Sequence, residues 1–178
     1  MARLHDEIER HLAPFAAAVE WLQTIPGVSA TAAAASIAEI GVDASRFPSA
    51  KHLASWAGVC PGNRQSGGKR LSGKPTKGNV WLRAVLGEVA WAAARTRGTS
   101  LRAQFERLAR RRGRKKAVVA VGHTILVIIY QLLRTGRPYA ELGADYFDTL
   151  DSTRLRHHHV QRLNQLGYEV TLKPKEAA

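Results

Sequence analysis

The chain has 178 residues, 45% of them hydrophobic, which is enough apolar material for one sizeable core and excludes a disordered tail. Its 27 Lys and Arg face 14 Asp and Glu, for a net charge of +13 and a pI near 10.7; such an excess favours a polyanion partner, because each neutralised phosphate releases counterions. A single cysteine, Cys60, excludes an internal disulfide framework and a cysteine zinc cluster and fits a reducing cytoplasm.

The charged N-terminus does not read as a signal peptide. Residues 1–23 place Leu4, Ile8, Leu12, Phe15, Val19 and Leu22 on one helical stripe of coiled-coil type, with a kink or restart expected at Pro14. Thr24 to Ser29 is a sharp turn around Pro26 and Gly27, followed by an alanine-rich helix to Ile40. Helix, Pro-Gly turn, helix reads equally as a plain αα-hairpin or as a helix-hairpin-helix, in which backbone N–H groups beside Gly27 meet a DNA phosphate. Ser49 is the expected N-cap of a helix running to Trp56, stopped by Gly58.

Helices are next expected from Asn79 to Arg95 and after Gly98. In the first, Val80, Leu82, Val85, Leu86, Val89 and Ala93 form the predicted buried face, with Trp81 and Trp91, like Trp56, as packing residues. The second ends in the densest charge run of the chain, Arg107, Arg110, Arg111, Arg112, Arg114, Lys115 and Lys116, which reads as a solvated face or as a nucleic-acid groove. Ala117 to Leu133 is apolar but broken by His123 and Gln131, and is expected as a core helix in place of a membrane span. His123 is expected to be a hydrogen-bonded core histidine, with a proton shuttle as the alternative. A last helix is predicted near Ser152 to Leu166, then a short strand or extended tail over Tyr168–Leu172. The fold class is all-α: a helical bundle interrupted by one long loop.

That loop, Cys60 to Asn79, carries Gly62, Gly67, Gly68, Gly73 and Gly78 with Arg64, Lys69, Arg70, Lys74 and Lys77, and no acidic residue. Glycine lets backbone N–H groups approach a phosphate, and the cations supply the opposing charge. Ser66 precedes the glycine pair, placing an alcohol where a phosphate would lie. On composition alone the stretch also reads as a disordered basic linker; a long loop between two patterned regions is more often functional. Consecutive His157, His158 and His159 point around a helix and cannot converge on one metal. Glu39, Asp43, Glu88, Asp145 and Asp148 show no two-metal spacing, so no metal site is predicted in this chain.

Thr24-Ile-Pro-Gly-Val28, Arg46 to Gly58, Gln65-Ser-Gly-Gly-Lys-Arg70, Lys77-Gly-Asn79, Trp91 to Arg95, Arg112 to Lys116, Gly122-His-Thr-Ile-Leu126 and Tyr139 to Phe147 together resemble the C-terminal domain of transposases of the IS110 insertion-sequence family. The likeness runs from about Leu22 to Leu172. It implies a DNA recombinase guided by a structured bridge RNA, with an N-terminal RuvC-like domain of four acidic metal ligands, a coiled-coil connector and a transposase domain bearing a catalytic serine. That serine maps onto Ser66, not Ser72. Residues 1–23 then correspond to the end of the coiled coil, 24–172 to the transposase domain and 173–178 to a tail. No stretch here matches the RuvC-like domain. Mg²⁺ is therefore expected at acids outside this chain, and the isolated chain is expected to be inactive. The implied partners are DNA, guide RNA and further copies of the protein, with no membrane. The reading from another class is a non-catalytic helical module that only binds nucleic acid.

Overall fold

The computed structural model describes residues 7–8, 10–62, 64–73, 76–150 and 152–173, without the side chains of Arg64, Arg70, Leu71, Ser72 and Arg154. The protein is helical, in two compact units, Met1–Ala144 and Asp145–Ala178. Of the coiled-coil stripe expected over residues 1–23, Leu4 lies outside the described residues. At Pro14 the chain makes a 3-10 turn, Ala13–Phe15, before α1 (Ala16–Gln23) begins. Proline lacks the N–H that would continue an α-helix and is tolerated at a first turn.

α2 (Ala30–Ile40) starts at Ser29, whose Oγ accepts the Ala32 N–H at 3.2 Å. Between α1 and α2, Gly27 has φ +88°, and a Cβ there would sit 2.5 Å from the Ala93 nitrogen and 2.9 Å from the Val89 carbonyl oxygen. The turn is therefore pressed onto the C-terminal end of α4 (Val80–Ala93). α3 (Ala50–Trp56) follows a short turn, Ala44–Arg46. Ser49 precedes α3 as expected, but its Oγ pairs with His52 Nδ1 at 2.9 Å and caps no backbone N–H.

α5 (Ser100–Arg112) and α6 (Arg114–Thr135) are separated by Gly113 alone, at φ +82°. α6 is long and apolar enough to cross a bilayer by length and composition, yet it is the central helix of the core. Nine of its residues, from Ala117 to Leu132, are buried, and it packs on α3, α4 and α5. Tyr130 is tied across the core by its hydroxyl, which donates to the Phe47 carbonyl at 3.1 Å. Gly122 of α6 rests on Leu86 of α4, while Val118 and Val119 share a groove with Val80 and Arg83. The groove lies on the N-terminal side of this contact in both helices, so α4 and α6 run locally parallel with their N-terminal ends toward the same side.

The core consists of the predicted apolar stripes, with Leu22, Ile25, Leu53, Leu82, Leu101, Val121, Ile125 and Leu126 among its fully buried side chains. Some expectations need correcting. Trp56, Trp81 and Trp91 are 42%, 74% and 37% exposed, and Val80 is 69% exposed, so none is buried core. The buried face of α4 is Leu82, Leu86, Val89, Ala90 and Ala93, and Val80 and Trp81 lie off it on the outward side of the first turn. Trp56 and Trp91 lean on Phe47 and Phe105, with ring centroids 5.4 and 5.7 Å apart. His123 is half-buried without a hydrogen bond to a described group; burial alone lowers its pKa.

A strap after α6 closes the first unit. The Tyr139 N–H donates to Thr24 Oγ1 at 2.8 Å, and the Tyr139 hydroxyl meets Ser100 Oγ at 3.2 Å. Glu141 Oε1 accepts three backbone N–H groups, from Ser100 at 2.8 Å, Leu142 at 2.9 Å and Gly143 at 3.0 Å. Desolvation is the largest single influence on this carboxyl and pushes its pKa up. The opposing hydrogen bonds from Ser100, Gly143 and Leu142 outweigh it together, and the net shift is downward. A lowered carboxylate pKa stabilises the fold above the ordinary value, 4.5, and that stability is lost as pH falls through the folded value. Glu141→Ala should cost about 1 kcal/mol at neutral pH, or roughly 2–4 °C of melting temperature. Parent and variant should converge in acid; thermal melts across pH check this.

In the second unit, α7 (Tyr146–Leu150) and α8 (Ser152–Gln165) follow each other, and Tyr146 and Phe147 meet edge to face at 5.1 Å. Residues 168–173 continue as irregular chain and form no strand.

Candidate nucleic-acid interface

The glycine-rich stretch holds a hairpin, not wholly the irregular loop the composition suggests. β1 (Arg64–Ser66) pairs antiparallel with β2 (Lys69–Ser72), with Ser66 opposite Lys69, Gln65 opposite Arg70, and an irregularity beside Arg64. Gly67 and Gly68 have φ of +55° and +75°, the positive pair that a tight two-residue turn demands to match strand twist. Ser66 is thereby fixed at the shoulder of the turn, with its side chain exposed and its Oγ in no hydrogen bond with a described residue. Lys69 faces it across the ladder, also exposed. Gly67 and Gly68 have nothing within 4 Å of where a Cβ would lie, so a ligand can reach their backbone.

The neck of the hairpin is closely built. The outgoing chain leaves α3 at Gly58 and the returning chain crosses it at Gly78. A Cβ on Gly78 (φ +55°) would overlap Ala57 and Gly58, and one on Gly58 (φ +71°) would lie 2.8 Å from the Gly78 Cα. Asn79 locks the crossing: its Oδ1 accepts the Leu82 N–H at 2.9 Å and caps α4, while its Nδ2 donates to Glu39 Oε2 of α2 at 2.6 Å. Arg83 Nη1 donates to the Lys77 carbonyl at 2.7 Å. Neither Glu39 nor Arg83 stood out in the sequence. Forty residues separate Glu39 from Asn79, and no local pattern links them.

The predicted binding residues divide by position. Ser66, Gly67, Gly68 and Lys69 are on the hairpin, and Lys77 is at its neck. Lys74 lies outside the described residues, as do the side chains of Arg64 and Arg70. Arg110, Arg111 and Arg112 end α5, and Arg114, Lys115 and Lys116 open α6, all exposed. Because α4 and α6 are parallel where they touch, this run lies toward the same end of α4 as the hairpin neck. Gly27 does not join them. It packs at the far end of α4, roughly 20 Å along a 14-residue helix, and its close fit against Ala93 accounts for the glycine. Among the described residues no three His, Cys, Asp or Glu side chains are grouped to hold a metal ion.

Residues 19–106, from α1 to the middle of α5, match the sequence profile described as the Transposase IS116/IS110/IS902 family. The chain belongs to this family. The IS110-family match contains the whole hairpin and its neck, while the run Arg110–Lys116 follows it. Relatives of this IS110-family chain include the pilin gene-inverting proteins of Moraxella bovis and Moraxella lacunata, each 32% identical over 121 residues, 66% of this chain and 37% of theirs. An uncharacterized 43.6 kDa protein of insertion element IS110 from Streptomyces coelicolor is 29% identical over 120 residues, 66% of this chain and 29% of its own length. The chain spans well under half the length of these relatives.

Proposed function

We propose that this chain is the DNA-handling segment of a transposase, and that Ser66 is the nucleophile of strand exchange. The observation that carries the reading is the placement of Ser66: exposed, at a turn of two open glycines, opposite Lys69, inside the family-matched stretch. In the proposed step Ser66 Oγ attacks the phosphorus of a phosphodiester. The P–Oγ bond forms, the bond to one deoxyribose oxygen breaks, and that oxygen leaves with a proton. The phosphoserine ester keeps the bond energy for rejoining by a second strand. Lys69, Lys77 and the run Arg110–Lys116 offset charge on the phosphates. A serine hydroxyl is a weak nucleophile at neutral pH, and the described residues bring no base to it. Its activation is assigned to acidic groups outside this chain, in line with the family resemblance. Bridge-RNA guidance, assembly of several copies and action in the cytoplasm belong to the same reading.

Binding tests it first. Affinity for duplex DNA should fall steeply with salt, with a log–log slope on the order of −0.9 per phosphate neutralised. Replacing Arg110, Arg111, Arg112 and Arg114 by alanine should make the slope shallower by about 0.9 for each phosphate no longer neutralised. The fold should be kept, since solvated arginines contribute little stability. Salt titrations of both proteins, with circular dichroism as the folding control, decide it. Equal slopes in two folded proteins would reduce the run to a solvated helix end.

A further inference from the structure

Beside the hairpin neck lies an open groove of about 400 Å³ between the N-terminal half of α4 and the second and third turns of α6, lined by Val80, Arg83, Ala84, Gly87, Val118, Val119 and Gly122 among others. We propose that this groove receives an unstacked base of a nucleic-acid strand whose phosphates follow the basic hairpin and the α6 N-terminal run, with the exposed indole of Trp81, next in sequence to the groove-lining Val80, as a neighbouring stacking platform. The inference deepens the functional reading above and rests on its nucleic-acid partner.

Three observations carry it. Trp81 is 74% exposed beside Val80 at 69%, an apolar pair left in water on the first turn of α4, where burial elsewhere would stabilise the fold. Gly87 sits inside α4 with nothing within 4 Å of where a Cβ would lie. Glycine is a poor helix residue, and packing does not require it here, so its effect is to keep the groove open. The one charged side chain that lines the groove is a cation, Arg83; Lys77 lies at the neck, Arg114, Lys115 and Lys116 precede its α6 wall, and the Glu39 carboxylate at the neck is taken up by Asn79. Glu88 is next to Gly87 in sequence but does not line it. A cationic surface with a flat apolar recess complements a phosphate chain carrying planar bases, the combination used to hold single strands. A volume of this size falls within the range of small-molecule sites, about 300–1,000 Å³.

The test uses the 178-residue chain, a single-stranded oligonucleotide carrying a fluorescent purine analogue, and the fully paired duplex of the same sequence. The parent should prefer the single strand and quench the analogue. Gly87→Leu fills the groove from a position with free space and should weaken single-strand binding roughly tenfold, the scale of one lost base–aromatic stack, without weakening duplex binding or lowering the melting temperature. Gly87→Ala, which should melt higher than the parent, separates helix gain from groove filling by weakening single-strand binding less than leucine does. Trp81→Ala should abolish the quenching. A folded Gly87→Leu that binds single strands as tightly as the parent overturns the proposal; if the salt-dependent duplex binding persists, the functional reading survives it. A parent that binds no nucleic acid removes both. Self-association of the parent that Gly87→Leu abolishes would give the groove to a second copy and likewise overturn the base-binding role.

Discussion

Ser66→Ala in the full-length, RNA-loaded recombinase should reduce strand exchange by roughly 10⁴-fold or more, the scale on which loss of a nucleophile is felt in covalent catalysis. The covalent protein–DNA adduct should disappear with it. DNA affinity and melting temperature should stay at the parent values, because the Ser66 side chain is exposed and bonded to no described group. That combination separates chemistry from folding and from binding. Denaturing gels read the adduct, filter binding the affinity and thermal melts the fold. An adduct that persists in Ser66→Ala would end the assignment and move the search to another hydroxyl of the stretch.

The second large effect is on folding, at the neck. Gly67 and Gly78 have the same φ, +55°, but a Cβ at Gly67 meets open space whereas one at Gly78 overlaps Ala57 and Gly58. Gly67→Ala should therefore cost only the left-handed strain, about 1–2 kcal/mol. Gly78→Ala bears that strain and must also force two backbones apart. A total of about 3–4 kcal/mol is expected, or roughly 6–16 °C of melting temperature for a chain of this size. The shared φ makes the pair a controlled comparison. Equal melting temperatures for the two variants would mean that the crossing at Gly58 is not a tight contact.

Helices were the legible part of the sequence because their stop signals are local. Gly41, Gly113 and Gly136 end α2, α5 and α6 at positive φ, the stripe of α4 points to Leu82 and Leu86 as core, and the apolar run of α6 points to a core helix. Val80 and Trp81 are apolar but lie off the stripe of Leu82, Leu86, Val89 and Ala93, so apolar character alone misplaces them in the core. α6 begins at Arg114, before its apolar run, because a one-residue break at Gly113 leaves the charge run continuous across two helices. The hairpin was hard to see because its strands are short and polar, with no hydrophobic alternation. The Gly67-Gly68 pair was the available signal, being one of the dipeptides that favour a two-residue hairpin turn. Of the interface, Ser66 and its cations could be read from composition and resemblance. The Glu39–Asn79 bond, the crossing of Gly58 with Gly78 and the contact of Leu86 with Gly122 are long-range facts of packing.

The glycine crossing also separates two histories within one chain. The residues that hold the core together, from Ala18 to Leu132, and the side chain that would carry the chemistry share no contact among those described. Selection for a folded bundle therefore exerts no hold on Ser66, and drift at the turn goes unpunished by misfolding. Copies of this domain with another residue at position 66 are expected to stay folded, indistinguishable by stability from those that keep the serine.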